Sequence, residues 1–466
     1  MNHRFKVSRA FGSEPNARLT LADASYHYLS KVGPHLDWVT YWVFDSAPGD
    51  DFGSSDMVRY VESRAPQLGQ LRRRLFEVPG DIDYPYWVDD DRPLAEGLVH
   101  HEGELSWEAC LADIGRIAAT PLDATVAPWR LHVFYRVRSG THRRIVVVFV
   151  ASHALFAGTG ISALSESLFG DPPETLSIPG LGPSAARVST VSAVAVGLAR
   201  IPVQLCRFAL GRMRMSRANG GPEDLSSPAG VAASSFNAPV ENDRAIEVIV
   251  TAPDSFSRDG ATVTEFVLAA ISRAVHRYWA EVGEPATADS AAVVTVALGS
   301  GREFAGVNTL GSAVVPLHSH VADSGERLRC LRTALRDERD RAAGAAEQRR
   351  REVMSVLPSL MYKRGVAGYR ARTAARRRAG LADATTVLTS VNCGAAARRW
   401  TLAGRGFACC GMVPPLTAEI GLVHGVVGAG DSCTITVLST PTIVPGLRRY
   451  REILRAELER PGFEQV

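Results

Sequence analysis

His153 is the residue whose surroundings best suit chemistry. It stands in the run Val150-Ala-Ser-His-Ala-Leu-Phe-Ala-Gly158, directly after the stretch Ile145-Val-Val-Val-Phe-Val150. So β-branched a run predicts a strand buried on both faces. The carboxyl end of such a strand is where α/β folds hold reactive groups at a crevice. An imidazole has an ordinary pKa near 6.5, so a histidine placed there can accept a proton at neutral pH as a general base. The spacing by itself is not diagnostic. With 12 histidines and 41 glycines in 466 residues, H-x-x-x-x-G arises about once by chance.

Other groupings carry less. The chain has no G-x-x-x-x-G-K-[ST], no G-x-S-x-G and no H-E-x-x-H, so a P-loop nucleotidase, a nucleophile-elbow hydrolase and a zincin are unsupported. Gly425, Gly428 and Gly430 have no helix after them and make no nucleotide fingerprint. His100 and His101 read as a surface pair, the run Asp89, Asp90, Asp91 as a solvated loop, and Trp87 and Trp129 as core. The seven cysteines form no C-x-x-C pair and no metal spacing, which fits a reduced compartment and no metal site. Cys409 and Cys410 read as two small buried strand residues.

The elements that must position His153 alternate along the chain. Helices are predicted at Leu19–Leu29, Met57–Leu75 and Trp107–Ala119, and strands at Trp38–Phe44, Trp129–Arg138 and Arg144–Val150. A second block follows, with strands 246–250, 292–298, 385–390 and 432–439 and helices 262–279, 325–341 and 447–459. This alternation predicts an α/β fold. The chain divides into an N-terminal domain over 1–185, a linker over 186–240 and a C-terminal domain over 241–466. Within the linker, Val188–Arg217 is apolar but carries Arg200, Arg207, Arg212, Arg214 and Arg217. It fits a helix packed across a domain interface, and equally a basic amphipathic helix on a membrane surface, with Pro202 as a kink or break. No apolar run reaches about 18 residues, so no spanning helix is expected, and Met1–Asn16 lacks the apolar core of a leader.

Composition bounds the partners. With 46% hydrophobic and 22% charged residues the chain is an ordinary globular one, long enough for two to three domains. The 52 basic and 49 acidic residues leave a net charge of +3, too small for nucleic-acid binding to dominate the surface.

Several separated pieces together resemble one family. Leu21-Ala-Asp-Ala-Ser-Tyr-His-Tyr-Leu29, Leu71-Arg-Arg-Arg-Leu75, Pro85-Tyr-Trp-Val-Asp-Asp90, Pro121-Leu-Asp123, Pro128-Trp129 and Ser152-His-Ala-Leu-Phe-Ala-Gly158 occur in the order and spacing of the wax ester synthase/diacylglycerol acyltransferase family. Downstream, Thr264-Glu-Phe-Val-Leu-Ala269 is similar to its N-D-V-V-L-A helix start. Val307-Asn-Thr-Leu-Gly311 with Val315-Pro-Leu317, and Thr389-Ser-Val-Asn392, resemble two further segments, so coverage runs from about Leu19 to Glu459.

The resemblance implies two chloramphenicol-acetyltransferase-like domains with mixed sheets, sandwiching a tunnel with the motif H-H-x-x-x-D-G at its centre. The base role falls on His153, which would help an alcohol attack the thioester of a long-chain acyl-CoA. The product would be triacylglycerol from diacylglycerol, or wax ester from a long-chain alcohol. Acyl-CoA is then a co-substrate and no cofactor is required. Ser152 replaces the family's first His and Ala157 its Asp, while Gly158 is kept. In the family that Asp is mainly architectural, so its loss bears on the order of the motif loop. Thr264 and Asn308 are candidates for oxyanion or substrate contacts. A cytoplasmic protein is expected, peripheral to the inner leaflet of the plasma membrane or to lipid droplets. Two rival readings share the fold. One is a weakened member that binds lipid or acyl-CoA without turnover, and the other is a condensation-type enzyme that takes its thioester from a carrier protein.

Overall fold

The computed structural model describes residues 17–182, 188–218, 230–252, 261–284, 290–297 and 306–460. Met1–Asn16, read above for a leader, lies outside them, as does most of the Gly- and Ser-rich run after 218. The first half of the chain forms α1 (Leu21–Ser30), β1 (Trp38–Ser46), α2 (Ser54–Ser63), β2 (Arg73–Phe76), β3 (Tyr86–Asp89) and β4 (Leu98–Ser106). It continues with α3 (Trp107–Ala119), β5 (Trp129–Ser139), β6 (His142–Ala151), α4 (Ile161–Phe169) and the long α5 (Thr190–Ala218). Then come β7 (Val231–Ala232), β8 (Ala245–Thr251), α6 (Val263–Val282), β9 (Ala291–Ala297), β10 (Leu310–Pro316) and α7 (Ser324–Ala343). Three short helices follow, α8 (Ala345–Ser355), α9 (Ser359–Ala367) and α10 (Tyr369–Arg378). The chain closes with β11 (Leu381–Ala382), β12 (Thr386–Gly394), β13 (Thr401–Leu402), β14 (Arg405–Val413), β15 (Leu422–Ala429), β16 (Ser432–Ser439) and α11 (Leu447–Glu459).

Two six-stranded sheets carry the fold, in the orders β13-β14-β1-β6-β5-β4 and β10-β9-β12-β15-β16-β8. Both are mixed: β4–β5, β9–β12 and β12–β15 run parallel and the other pairs that link full-length strands antiparallel. β6 sits inside the first sheet and its Ile145–Val150 are buried on both faces, which is why the sequence there shows no alternation. One face packs α1, α2 and α4 in the largest apolar cluster; the other packs α3 and the second sheet. α6, α7 and α11 cover the outer face of that second sheet. The two sheets meet directly, and Tyr41 of β1 shares a 3.0 Å hydroxyl hydrogen bond with Thr436 of β16.

Three expectations change. The C-terminal domain does not keep to 241–466, because β13 and β14 join the first sheet, β14 pairing with β1 from Val39 opposite Val413 to Phe44 opposite Phe407. The helix expected over Met57–Leu75 ends at Ser63. After a single 3₁₀ turn, the arginine run becomes the start of β2, whose Arg73 is 1% exposed and donates to the Gly182 carbonyl. Burial of Arg73 selects a two-residue period over the helical one, which tertiary packing routinely does for polar segments. Finally, α5 runs unbroken through Pro202 and is long and apolar enough to cross a membrane. Its arginines interrupt every run of apolar residues but are spaced so widely that an 18-residue stretch holds no more than two charges.

Candidate active site

β6 ends at Ala151, and the chain turns at once. Leu155 and Phe156 donate their backbone N–H groups to the Ser152 carbonyl at 2.8 and 3.1 Å, and Ser152 donates its own to Pro128 at 2.7 Å. This compact turn hangs His153 from the rigid sheet. Gly158, where the chain enters the turn before α4, lies against the other domain: a Cβ there would sit 3.0 Å from Val391 Cγ2 of β12 and 3.1 Å from Trp38. A side chain there would need Val391 or Trp38 to give by a few tenths of an ångström, so it is close packing rather than backbone conformation that favours glycine.

The imidazole is clamped on two sides. Tyr26 stacks on it with ring centroids 3.9 Å apart and planes 12° from parallel, and Trp38 meets it edge-on at 5.4 Å and 89°. Nδ1 is enclosed and has no hydrogen-bond partner of regular geometry. Burial drives the pKa down to about 4, against weaker upward pulls from the residue's own carbonyl and from Asn308. The ring is therefore neutral at pH 7 and able to accept a proton.

A cavity of about 340 Å³ opens beside this ring. Ser25, Tyr26 and Leu29 of α1, with Trp38 and His153, form the wall from the first domain. Thr295 of β9, Ser312 of β10 and Thr389 of β12 contribute hydroxyls from the second sheet. Pro414 and Pro415, just past β14, and Tyr369 of α10 close further sides. The wall is mostly apolar with a few hydroxyls, the character of a pocket for a small or chain-like organic ligand.

Asn308 reaches the site, but in another capacity than an oxyanion donor. Its Nδ2 donates to the His153 carbonyl at 2.8 Å and to Asp23 Oδ1 at 2.9 Å, which uses both amide hydrogens. Asp23, 4% exposed, also accepts from the backbone of Asn308 at 2.9 Å and of Val307 at 3.2 Å, and from the Thr20 hydroxyl at 2.9 Å. Burial pushes its carboxyl up, and these donors, Asn308 first, pull it back. Thr264 does not reach the site. Its hydroxyl pairs with Ser390 Oγ at 2.9 Å, and Ser390 alternates with the cavity-lining Thr389, so it points to the helix-covered face of the sheet.

Asp23 and Tyr26 were not singled out from the sequence. Their signal was their spacing, since residues three apart share one helix face, and both stand in the Leu21–Leu29 run that carries part of the resemblance. Ser152 is buried and its hydroxyl lies 3.4 Å from the Ala154 N–H; Ala157 is fully buried within the apolar cluster.

The wax ester synthase/diacylglycerol acyltransferase catalytic domain profile matches residues 19–252, and the WS/DGAT C-terminal domain profile matches 307–460. The chain belongs to this family. Two Mycobacterium tuberculosis relatives, provisionally named as diacylglycerol O-acyltransferases, are 25% and 26% identical. The alignments cover 77% of this chain and 79% of the first relative, and 70% and 67% for the second. Among solved structures, the wax ester synthase/diacylglycerol acyltransferase of Marinobacter aquaeolei VT8 superposes with a TM-score of 0.60 at 15% identity, covering 95% of this chain and 98% of that one. The first condensation domain of the CDA synthetase gives 0.52 at 13% identity, over 97% and 98%. These two share the two-domain acyltransferase fold with the present WS/DGAT member.

Proposed function

We propose that this family member is an acyl-CoA-dependent O-acyltransferase that esterifies diacylglycerol, or a long-chain alcohol, to triacylglycerol or wax ester. The observation that carries the reading is His153, neutral and held by two aromatic rings, at the wall of an interdomain cavity. A hydroxyl is a poor nucleophile until a base takes its proton as the new bond forms. In this reading the acceptor O–H donates to Nε2 while its oxygen attacks the thioester carbonyl. The tetrahedral intermediate collapses with cleavage of the C–S bond, and the imidazolium returns the proton to the departing CoA sulfur. The protonated ring is stabilised in the meantime by the Tyr26 face beneath it. Thr389 and Ser312 are the hydroxyls available to meet the developing oxyanion. The thioester arrives activated, so the scheme needs no cofactor.

The Asp23–Asn308 pair supports the loop that the family's Asp otherwise orders. It is anchored on α1 through Asp23 and holds the His153 carbonyl through the Asn308 amide. The competing reading, an acyl-CoA or lipid binder without turnover, draws on Ala157 and on the unpartnered Nδ1. Loss of a buried charge-assisted hydrogen bond, worth about 1.5–3 kcal/mol, slows a reaction roughly 10- to 200-fold if it is felt fully in the transition state.

CoA release from palmitoyl-CoA, with diacylglycerol or hexadecanol as acceptor, separates the two. Turnover by the wild type that falls at least 100-fold in His153→Ala is expected. Background rates for both proteins with every acceptor, alongside stoichiometric acyl-CoA binding, would establish the binder instead.

A further inference from the structure

Helix α5 is built the wrong way round for a surface helix of a water-soluble protein. Its inner stripe is narrow: Ala193, Gly197 and Met215 are buried, and Cβ atoms on Gly197 and Gly211 would strike Ile82 and Val353 at 2.9 and 2.7 Å. Arg200 ties the middle of the helix to the body through Asp83 and the Tyr86 hydroxyl. The opposite face turns outward and is apolar. Val191, Leu198, Val203, Leu205, Leu210 and Met213 are 42% to 79% exposed, six of the eleven large apolar side chains exposed among the described residues.

At 100° per residue, an outward arc about 160° wide holds these six together with Ala195, Ala199, Pro202, Cys206 and Ala209. Ser192, Ser216 and, at the C-terminal end, Arg217 also fall within this arc; the other charges lie on its flanks. Arg200, Arg207 and Arg214 recur every seven residues along one edge, and Arg212 lies on the other. Arg207, Arg212, Arg214 and Arg217 have no ion-pair partner among the described residues, and Thr190–Ala218 contains no Asp or Glu at all.

We infer that α5 is an interfacial anchor that seats this protein on an anionic lipid bilayer, its outward apolar face in the acyl boundary and its flanking arginines at the phosphates. A partner of opposite charge is required by four arginines without an acid among the described residues, and an extended apolar one by the outward arc; a bilayer surface supplies both. The helix lies flat rather than spanning. At about 43 Å, from 1.5 Å per residue, it is long enough to cross, but its inner stripe is fastened to the body from Ala193 to Met215 and cannot turn to the bilayer normal. This adds a docking surface to the reaction proposed above, and binding is read without turnover, so each can fail separately.

The test is flotation of the full chain with vesicles of phosphatidylcholine alone or with 30% phosphatidylglycerol. Binding to the anionic vesicles that weakens in 0.5 M salt is expected. At about fivefold per arginine, Arg207→Gln/Arg214→Gln should bind about 25-fold more weakly. Leu198→Ser/Val203→Ser/Leu210→Ser should lose flotation while keeping the wild-type circular dichroism and melting temperature, since these side chains are already in water. Three results would overturn the inference: no wild-type flotation on either vesicle, undiminished flotation of the triple variant, or concentration-dependent dimerisation of the wild type that the triple variant abolishes.

Discussion

In the proposed reaction His153 is a base made by burial. Its neutral form persists down to a pKa of about 4, because an enclosed imidazolium would lose its hydration. The sign for activity follows: the reactive form is the unprotonated one, so lowering the pH through 6.5, where an ordinary histidine loses half its base form, should cost little. kcat/KM measured from pH 8 to pH 4 should stay nearly level to about pH 5 and fall below it; a midpoint near 6.5 would mean the ring is open to water. Asp23 is the second residue on which the site depends. In Asp23→Ala the Val307 and Asn308 N–H groups and one Asn308 amide hydrogen lose their acceptor. Unpaired buried donors cost about 1–3 kcal/mol each, so denaturant melts should show a loss of at least about 3 kcal/mol, and kcat should drop roughly 10- to 100-fold. His153 was legible in the sequence from its place after Ile145–Val150. Asp23 was not, because its partners lie nearly 300 residues away and no local pattern records such a contact.

Elements with a clear period were readable. α3, β16 and α11 fall on the residues expected for them, since each has one buried face or two and a defined end. β14, read only at Cys409 and Cys410, and β15 escaped a full reading for a physical reason. Their Gly406, Gly411, Gly425 and Gly428 lower strand propensity, yet glycine is what the crossing of the strands demands. A Cβ on Gly425 would lie 2.6 Å from the Met412 carbonyl oxygen and 2.9 Å from Pro414 Cδ. Gly425→Ala should therefore destabilise the protein by about 1–3 kcal/mol, as overpacking does, seen as a lower melting temperature. Unchanged melting would mean that β14 can shift away from β15. The Arg72–Arg74 run misled in the opposite way: a charged run reads as a solvated helix end, and only the fold reveals that Arg73 is taken inside as part of β2.

The whole molecule is two sheets laced by one strand. β14 leaves the second half of the chain, completes the first sheet beside β1, and returns as β15 in the second. An isolated fragment ending at residue 182 would expose the edge of β1 along Val39–Phe44. Expressed alone, it should aggregate or lack a cooperative melt, whereas a fragment that folds independently would show the lacing to be dispensable. The same lacing governs how ligands reach the ring. The contact of Gly425 with Met412 leaves no slack between the sheets, and Pro414 sits both at that contact and in the cavity wall. Parting the halves like the jaws of a clamp would break this contact. In the proposed reaction a long acyl chain then threads lengthwise past these walls, so the length of chain accepted is set by bore and depth, as with a needle's eye, and not by how far a hinge swings.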